Sequence, residues 1–337
     1  MNQNRDWKRI LPGLIISIIA LALVLYFADL RQVASALRRA NYWLILLVSL
    51  LTLAWLVVRA VVWRILLKDQ ATYGQVFLSL NEGYLINNIL PLRLGEVARA
   101  YLLSKKAGLG FLEVFSTVII ERSLDLIIAA GLLLSALPFV VKVNWAFQAA
   151  IGAGFIVLAG LSMLYLIARN PGWTLLQFDK IAHRWPKLDQ IGRNQLNTFL
   201  SGLSVLTVGK RFLTAVLWLI ANWGIAIMQY YFLLLAFYPG PKFVWAIFTL
   251  GVVALGAAAP SSPGALGVLE ASMVGALAVF GVDVSISLAI AITAHAINYV
   301  ITGGIGMYAL VQDGIHISRF GKLYQELKDI TPTENAP

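Results

Sequence analysis

Apolar residues run in long uninterrupted blocks along this chain. Six blocks are long enough for a helix rising 1.5 Å per residue to cross a hydrocarbon core of about 30 Å. They are Ile10–Ala28, Tyr42–Val62, Val114–Leu137, Trp145–Ala168, Phe212–Phe237 and Val284–Leu310. Two further regions are apolar but broken. Residues 74–103, GQVFLSLNEGYLINNILPLRLGEVARAYLL, are too polar for an ordinary span and too apolar for a loop. Residues 243–280 are interrupted by AAAPSSPGALGVLE, where Pro260 and Pro263 prevent a continuous helix and Gly264 and Gly267 let the backbone turn. A break inside hydrocarbon is tolerated only where protein or a wet cavity satisfies the freed polar groups. Each region is therefore expected to form a re-entrant helical hairpin, or two helices meeting at a break. The expected fold is an all-α integral membrane protein, a polytopic bundle of six full spans and two broken hairpins.

The connections set the orientation. With both hairpins entering and leaving on one side, seventeen of the 26 basic residues fall on the side of the N-terminus and five on the other. The remaining four, Arg59, Arg93, Arg99 and Arg122, fall in or near hydrocarbon. That asymmetry predicts cytoplasmic termini, with the pair Arg38–Arg39 against the trend. Arg5, Lys8 and Arg9 precede the first span as in a signal peptide, but no small-residue cleavage site leads into a soluble domain, so a retained helix is expected. The expected organisation is one transmembrane domain, 1–310: a first half 10–168, a connection 169–210, a second half 211–310, and a cytoplasmic tail 311–337. Within the connection, Leu188, Ile191, Leu196, Phe199, Leu203 and Leu206 recur at helical spacing. This predicts an amphipathic helix that lies on the inner headgroups or links the two halves.

Composition removes the soluble alternatives. Hydrophobic residues make up 60% and charged residues 12% of the 337 positions, against roughly 45–50% and about 25% in an average soluble domain. The net charge of +10 accords with basic loops facing anionic headgroups. No basic domain is present to bind nucleic acid. Cysteine is absent and the three histidines are far apart, so no cofactor or metal is expected. No phosphate-binding Gly-Lys loop, nucleophile elbow or zinc-binding helix motif is present, and the chain is not expected to be an enzyme.

The two breaks share a pattern. One reads Pro91-Leu-Arg-Leu-Gly95-Glu96, the other Pro263-Gly-Ala-Leu-Gly267-Val-Leu-Glu270. In the counted topology the first hairpin dips in from the cytoplasmic side and the second from outside. Opposed broken helices in corresponding places point to an inverted repeat around a transporter's central site. Charges reinforce this: Glu82, Arg93, Glu96, Arg99, Glu121, Arg122, Asp125 and Glu270 lie in or beside apolar sequence, where each costs about 2.5–3.5 kcal/mol on insertion scales. Glu121 and Asp125 would repel one another without a guanidinium between them, a place expected for Arg93, Arg99 or Arg122. Arginine's fork of donors fits phosphate, so a phospholipid headgroup or a lipid-linked phosphate is one candidate ligand. The other reading is a self-neutralised core that locks helices together. Asn87 and Asn88 could satisfy the first break or meet a headgroup, and Ser261 and Ser262 could cap the helix after the second. His295, Asn298 and Thr302 form a polar stripe that could line a cavity or bond a neighbouring helix.

The stretches N-N-I-L-P-L-R-L-G-E-V-A-R-A at Asn87–Ala100, E-R-S-L-D at Glu121–Asp125 and P-S-S-P-G-A-L-G-V-L-E at Pro260–Glu270 resemble the lysylphosphatidylglycerol synthase transmembrane-region family. That family is also called flippase-like or UPF0104. The resemblance runs from about Ile10 to Leu310. In the larger multiple-peptide-resistance proteins of the family, a membrane half is thought to translocate aminoacylated phosphatidylglycerol, and a soluble half attaches the amino acid. This chain looks like the membrane half alone. The resemblance implies lipid translocation or scrambling without aminoacyl transfer. It also implies that Arg93, Glu96, Arg99, Glu121, Arg122, Asp125 and Glu270 form the polar core. The rival reading is a membrane scaffold for a lipid-modifying or glycosyl-transferring enzyme, with the connection 169–210 as the partner surface. A membrane glycosyltransferase is a third. No oligomeric state is implied.

Overall fold

A computed structural model describes residues 3–90, 94–140, 145–182, 193–258 and 262–314. Among the described residues all regular structure is helical: α1 (Gln3–Phe27), α2 (Leu30–Arg39), α3 (Tyr42–Leu66), α4 (Tyr73–Ile89), α5 (Leu94–Ala107), α6 (Phe111–Val140), α7 (Trp145–Arg169), α8 (Pro171–Ala182), α9 (Arg193–Leu203), α10 (Gly209–Phe237), α11 (Phe243–Ala258), α12 (Val268–Ala278) and α13 (Val284–Gln312), with 3₁₀ turns at Ser204–Thr207 and Pro263–Ala265. Four of them, α3, α6, α10 and α13, are long and apolar enough to cross a membrane, and α1 and α2 form one apolar pair bent by 84°. Large apolar side chains such as Ile18, Leu50, Leu217 and Ile220 stand exposed on the helices' outer faces, as expected of a surface that meets lipid.

Side-chain caps decide where the helices begin. Asn41 accepts from the amides of Trp43 and Leu44, and Asp283 from those of Ser285 and Ile286. Thr72 and Gln75 close a reciprocal capping box at the head of α4. Each cap satisfies amides that the helix cannot. The segment after Ala28, expected to be a plain connection, is the helix α2, capped by Asp29. Its amphipathic pattern buries Val33 and leaves Arg38 and Arg39 exposed in its last turn, where the negative end of the helix dipole favours cations.

Both interrupted regions are helical hairpins, α4–α5 and α11–α12. The first closes very tightly. A Cβ on Gly95 would stand 2.0 Å from the Gly83 carbonyl oxygen, and one on Gly83 would stand 2.7 Å from that of Gly95. Each hairpin also packs on a distant span: α4 lies along α13, and α11 lies along α6, while α3 and α10 pack lengthwise against each other. Polar bonds pin that last pair, with Asn222 Nδ2 donating to the Trp55 carbonyl at 2.8 Å and Gln229 Nε2 to Thr52 Oγ1 at 2.8 Å.

The connection's helix is tied into the bundle. Leu200, Leu203 and Leu206 are buried in one cluster with Val62, Ile120 and Leu219, and Gly202 abuts Ser116 of α6. The expected Leu188 and Ile191 positions lie outside the described residues.

Gly95→Ala places a methyl group against backbone and is expected to cost at least the 1–3 kcal/mol typical of overpacking. Gly303→Ala, with nothing within 4 Å of the added carbon, is expected to be neutral or slightly stabilising. Thermal unfolding of the two purified variants in detergent checks the contrast.

Candidate functional site

Three arginines and three carboxylates converge between α3, α5 and α6. On α6, Glu121 and Asp125 are one turn apart and face the same way, which brings both to α3. Arg59 meets them there. Its guanidinium lies 2.5 Å from Glu121 Oε1 and grips Asp125 with both terminal nitrogens, Nη1 to Oδ1 at 2.7 Å and Nη2 to Oδ2. From α5, Arg99 reaches Glu121 at 3.2 Å and its own helix neighbour Glu96 at 2.9 Å, the latter off the hydrogen-bonding direction. Arg122 touches all three acids: Glu121 at 3.0 Å, Asp125 at 3.2 Å and Glu96 at 3.6 Å.

The formal charges cancel, which is what makes the burial tolerable. Taking each ion out of water costs several kcal/mol, and only close opposite charge repays it. Aromatic rings complete the shell: Arg99 lies 4.6 Å from the Trp63 ring centroid, and the Trp223 indole donates to Asp125 at 3.1 Å. Trp63 is itself held by its bond to Thr117 at 3.0 Å. The cluster is graded in depth. Arg59, Arg99 and Glu121 are sealed, while Arg122 keeps 32% of its side chain exposed, Glu96 18% and Asp125 14%. Its hydrogen bonding is incomplete: Nε of Arg59, Arg99 and Arg122, the Tyr84 hydroxyl and Glu96 Oε2 are buried without a hydrogen-bond partner.

The breaks form a second set of contacts. Asn87 Oδ1 accepts from the Gly95 amide at 2.8 Å and so ties the two arms of the first hairpin, and Asn88 donates to Thr302 of α13 at 3.2 Å. Pro263 opens the 3₁₀ turn of the second break, in which Gly264 and Ala265 adopt left-handed backbone. A Cβ on Gly264 would collide with the Tyr299 hydroxyl at 1.6 Å. Gly267, at φ 82°, approaches the Ser17 carbonyl oxygen of α1. This turn packs against α4. Since Tyr299 and Thr302 occupy successive turns of α13, the end of α4 and the second break lie side by side on that helix.

Several expectations change here. Glu270 does not hold the arginines; it binds His295 Nδ1 at 2.6 Å and accepts from the Gly267 amide at 2.6 Å. Ser262 does not cap a helix; its hydroxyl donates to the Leu266 carbonyl at 2.9 Å. In the polar stripe, His295 and Thr302 are buried and make bonds across elements, while Asn298 is exposed. The guanidinium expected from Arg93, Arg99 or Arg122 between Glu121 and Asp125 is supplied jointly by Arg122 and Arg59. Arg59 escaped because its partners are distant in sequence, although an arginine within the apolar run TLAWLVVRAVVW was itself the signal. Glu82 pairs with Lys106 at 2.8 Å, and Lys106 with Asp313 at 2.7 Å, a separate contact between the first hairpin and the end of α13. Pro91, Arg93, Pro260 and Ser261 lie outside the described residues.

Fold and site together define a multi-pass helical membrane protein with two broken hairpins and a buried, self-neutralised ion cluster. The chain belongs to the family described as lysylphosphatidylglycerol synthase TM region, whose sequence model matches residues 10–306. It is similar to UPF0104 membrane proteins of archaea. One from Methanocaldococcus jannaschii is 29% identical over 68% of this chain and 95% of the relative. Another, from Methanothermobacter thermautotrophicus, is 23% identical over 90% of this chain and 96% of the relative. No solved structure matches the chain.

Arg59→Met leaves the cluster one positive charge short beside Glu121 and Asp125, which keep only Arg99, Arg122 and the Trp223 indole, and is expected to cost about 3–5 kcal/mol. Pairing it with Asp125→Leu should cost less than the sum of the single changes. A double-mutant cycle on thermal stability in detergent measures that coupling; strict additivity would show that the pair is not interacting as described.

Proposed function

We propose that this protein moves a phosphate-bearing lipid between the two leaflets of the membrane, an aminoacyl-phosphatidylglycerol, another phospholipid or an isoprenoid-linked phosphate. The observation that carries the reading is the graded ion cluster: three guanidinium groups whose Nε donors lack acceptors, with Arg59 and Arg99 sealed and Arg122 open at the edge. Phosphate is the ligand whose several oxygens match such donors. It would enter by replacing Glu96 on Arg122, the longest of the ion contacts, and would leave when the carboxylate returns. A translocator needs that reversibility, because a headgroup held too well is never released.

The packing supports an inverted repeat. With α3–α4–α5–α6 set against α10–α11–α12–α13, every principal contact has its counterpart. The pair α4/α13 mirrors α11/α6, α5/α6 mirrors α12/α13, α3/α4 mirrors α10/α11, and α3/α10 is its own image. Adding α1 and α7 as spans gives the six-span topology, with cytoplasmic termini in an inner membrane favoured by the basic loops. The halves 10–168 and 211–310 then rock about the paired hairpins, as transporters built from such repeats do.

The lipid tail also has a path. An apolar cavity of about 400 Å³ is lined by Ile120, Ser123, Leu124, Tyr165, Leu166, Leu206 and Phe212. Its α6 residues are the immediate neighbours of Glu121, Arg122 and Asp125, so one helix would carry the tail on one face and the headgroup on the other. The rival scaffold reading loses part of its surface, because the apolar side of α9 is already spent inside the bundle.

In liposomes, the protein is expected to accelerate leaflet exchange of labelled phosphatidylglycerol, and Arg122→Gln to slow it about tenfold, the effect of losing about 1.4 kcal/mol, with unfolding temperature retained. Folded protein that leaves exchange of phosphatidylglycerol, phosphatidylethanolamine and polyprenyl phosphate at the rate of empty vesicles refutes the reading.

A further inference from the structure

The repeat relation places a different chemistry in each half. Glu96 is the third residue of α5 and Glu270 the third residue of α12. Their partners, Arg122 and His295, are each the twelfth residue of the following span, α6 and α13. The same carboxylate position thus faces a permanent cation in the first half and a titratable ring in the second.

The hydrogen bonds around His295 fix how many protons the second pair holds. Its Nε2 lies 2.9 Å from the Gly264 carbonyl oxygen, and its Nδ1 lies 2.6 Å from Glu270 Oε1. A carbonyl oxygen only accepts, so Nε2 carries a hydrogen. The Nδ1 contact then needs a second proton, either on the ring beside a carboxylate or on the carboxyl beside a neutral ring. Both arrangements have zero net charge and hold one proton more than a neutral histidine with an ionised glutamate. Releasing that proton to water leaves a charge of −1 and a single ring N–H. The ring can then serve Gly264 or Glu270, not both, and a bare lone pair 2.6 Å from a carboxylate is repelled.

We infer that Glu270 and His295 form a proton-binding site whose occupancy holds the second break closed. The bond from His295 is made to a turn containing left-handed Gly264 and Ala265, a conformation that costs a non-glycine residue of order 1–3 kcal/mol and persists only when its surroundings enforce it. The turn's other ties are neutral, the Ser262 amide donating to Ser17 Oγ of α1 at 2.9 Å, the Ser262 hydroxyl to the Leu266 carbonyl and Tyr299 covering Gly264, while the Gly267 amide beyond it is held by Glu270 itself. Tyr299, its ring 4.6 Å from that of His295, is the other titratable group facing the pair. Among the described residues, no other acidic or basic side chain of α1, α4, α12 or the 3₁₀ turn bonds to it. Both members of the pair are nearly sealed, His295 at 6% and Glu270 at 4% exposure, so proton exchange itself requires the break to open. The site stands on this geometry. That its proton is exchanged during lipid movement rests on the reading above, and would supply the driving force for a chain whose sequence carries no phosphate-binding Gly-Lys loop.

The test exploits the absence of cysteine. Leu266, exposed in the break, is changed to cysteine and carries a single spin label in the full-length protein in liposomes. The label's mobility is followed from about pH 5 to 8, where histidine side chains ordinarily change charge. One transition is expected in the otherwise unaltered chain. Glu270→Gln, whose amide can donate to Nδ1 without a titrating proton, should abolish it, as should His295→Gln; either variant suffices if the other does not fold. A flat signal in the unaltered chain, or an unchanged transition in a folded variant, overturns the site. In the same vesicles a pH gradient should change net transfer of labelled phosphatidylglycerol severalfold, and not in Glu270→Gln. A label transition with gradient-independent transfer overturns the coupling and retains the site. A label transition with no transfer at all overturns the lipid reading while the site stands.

Discussion

Everything in this molecule depends on Arg59 being held by Glu121 and Asp125. In hydrocarbon an unpaired charge has no water to turn to, so each carboxylate on α6 obliges a guanidinium to come from another helix. Arg59 comes from α3, Arg99 from α5, and Arg122 from α6 itself. The three helices are thereby fixed in rotation as well as in distance, because a two-pronged contact tolerates little twist. Since α3 also packs along α10, the register of the second half is set from the same centre.

The two breaks show how backbone is managed where water is scarce. Asn87 supplies the acceptor for the Gly95 amide, Glu270 that for the Gly267 amide, and His295 the donor for the Gly264 carbonyl. Each of these three groups thus has a side chain as partner. In the first hairpin that partner is neutral and fixed. In the second the partners are an acid and a base, and in the proposed site their joint protonation decides whether the ring can hold Gly264 and Glu270 together. In the proposed scheme the two hairpins therefore differ in one respect, their sensitivity to protons.

Much of the architecture was legible in hydrophobic pattern alone, because lipid forces long apolar runs to be helical. The six predicted spans fall on helices whose ends lie within a few residues of those expected, apart from the longer start of α1; four of these helices are long and apolar enough to cross a membrane, and both broken regions are hairpins. The short α2 was missed because its polar face reads as loop when the period is ignored. The buried charges were visible as anomalies, but their partners were not. Glu270 was grouped with the arginines by chemistry alone, and only packing assigns it to His295. Arg59 was recognised as misplaced in hydrocarbon and yet left out of the site, since no local spacing joins it to α6. Sequence shows which groups need a partner; tertiary structure chooses among the eligible ones.

A neutral cluster invites the view that it only locks helices together. Energetics argue for more. Well-packed apolar side chains in place of a buried ion network are often equally stable or more stable by 1–4 kcal/mol, so locking alone does not need charge. Nor does a lock need to be graded, with Arg122 open at the edge and its contact to Glu96 stretched to 3.6 Å while Arg59 sits sealed behind it. On the proposed function, the gradient separates two duties within one cluster. Arg59, Glu121 and Asp125 keep the helices in place, and this leaves the Glu96–Arg122 contact free to break without unfolding the bundle. In the proposed translocation an anion arriving at the open edge would meet a partly exposed guanidinium already aimed by its carboxylates, and would need to displace only the weakest of its partners.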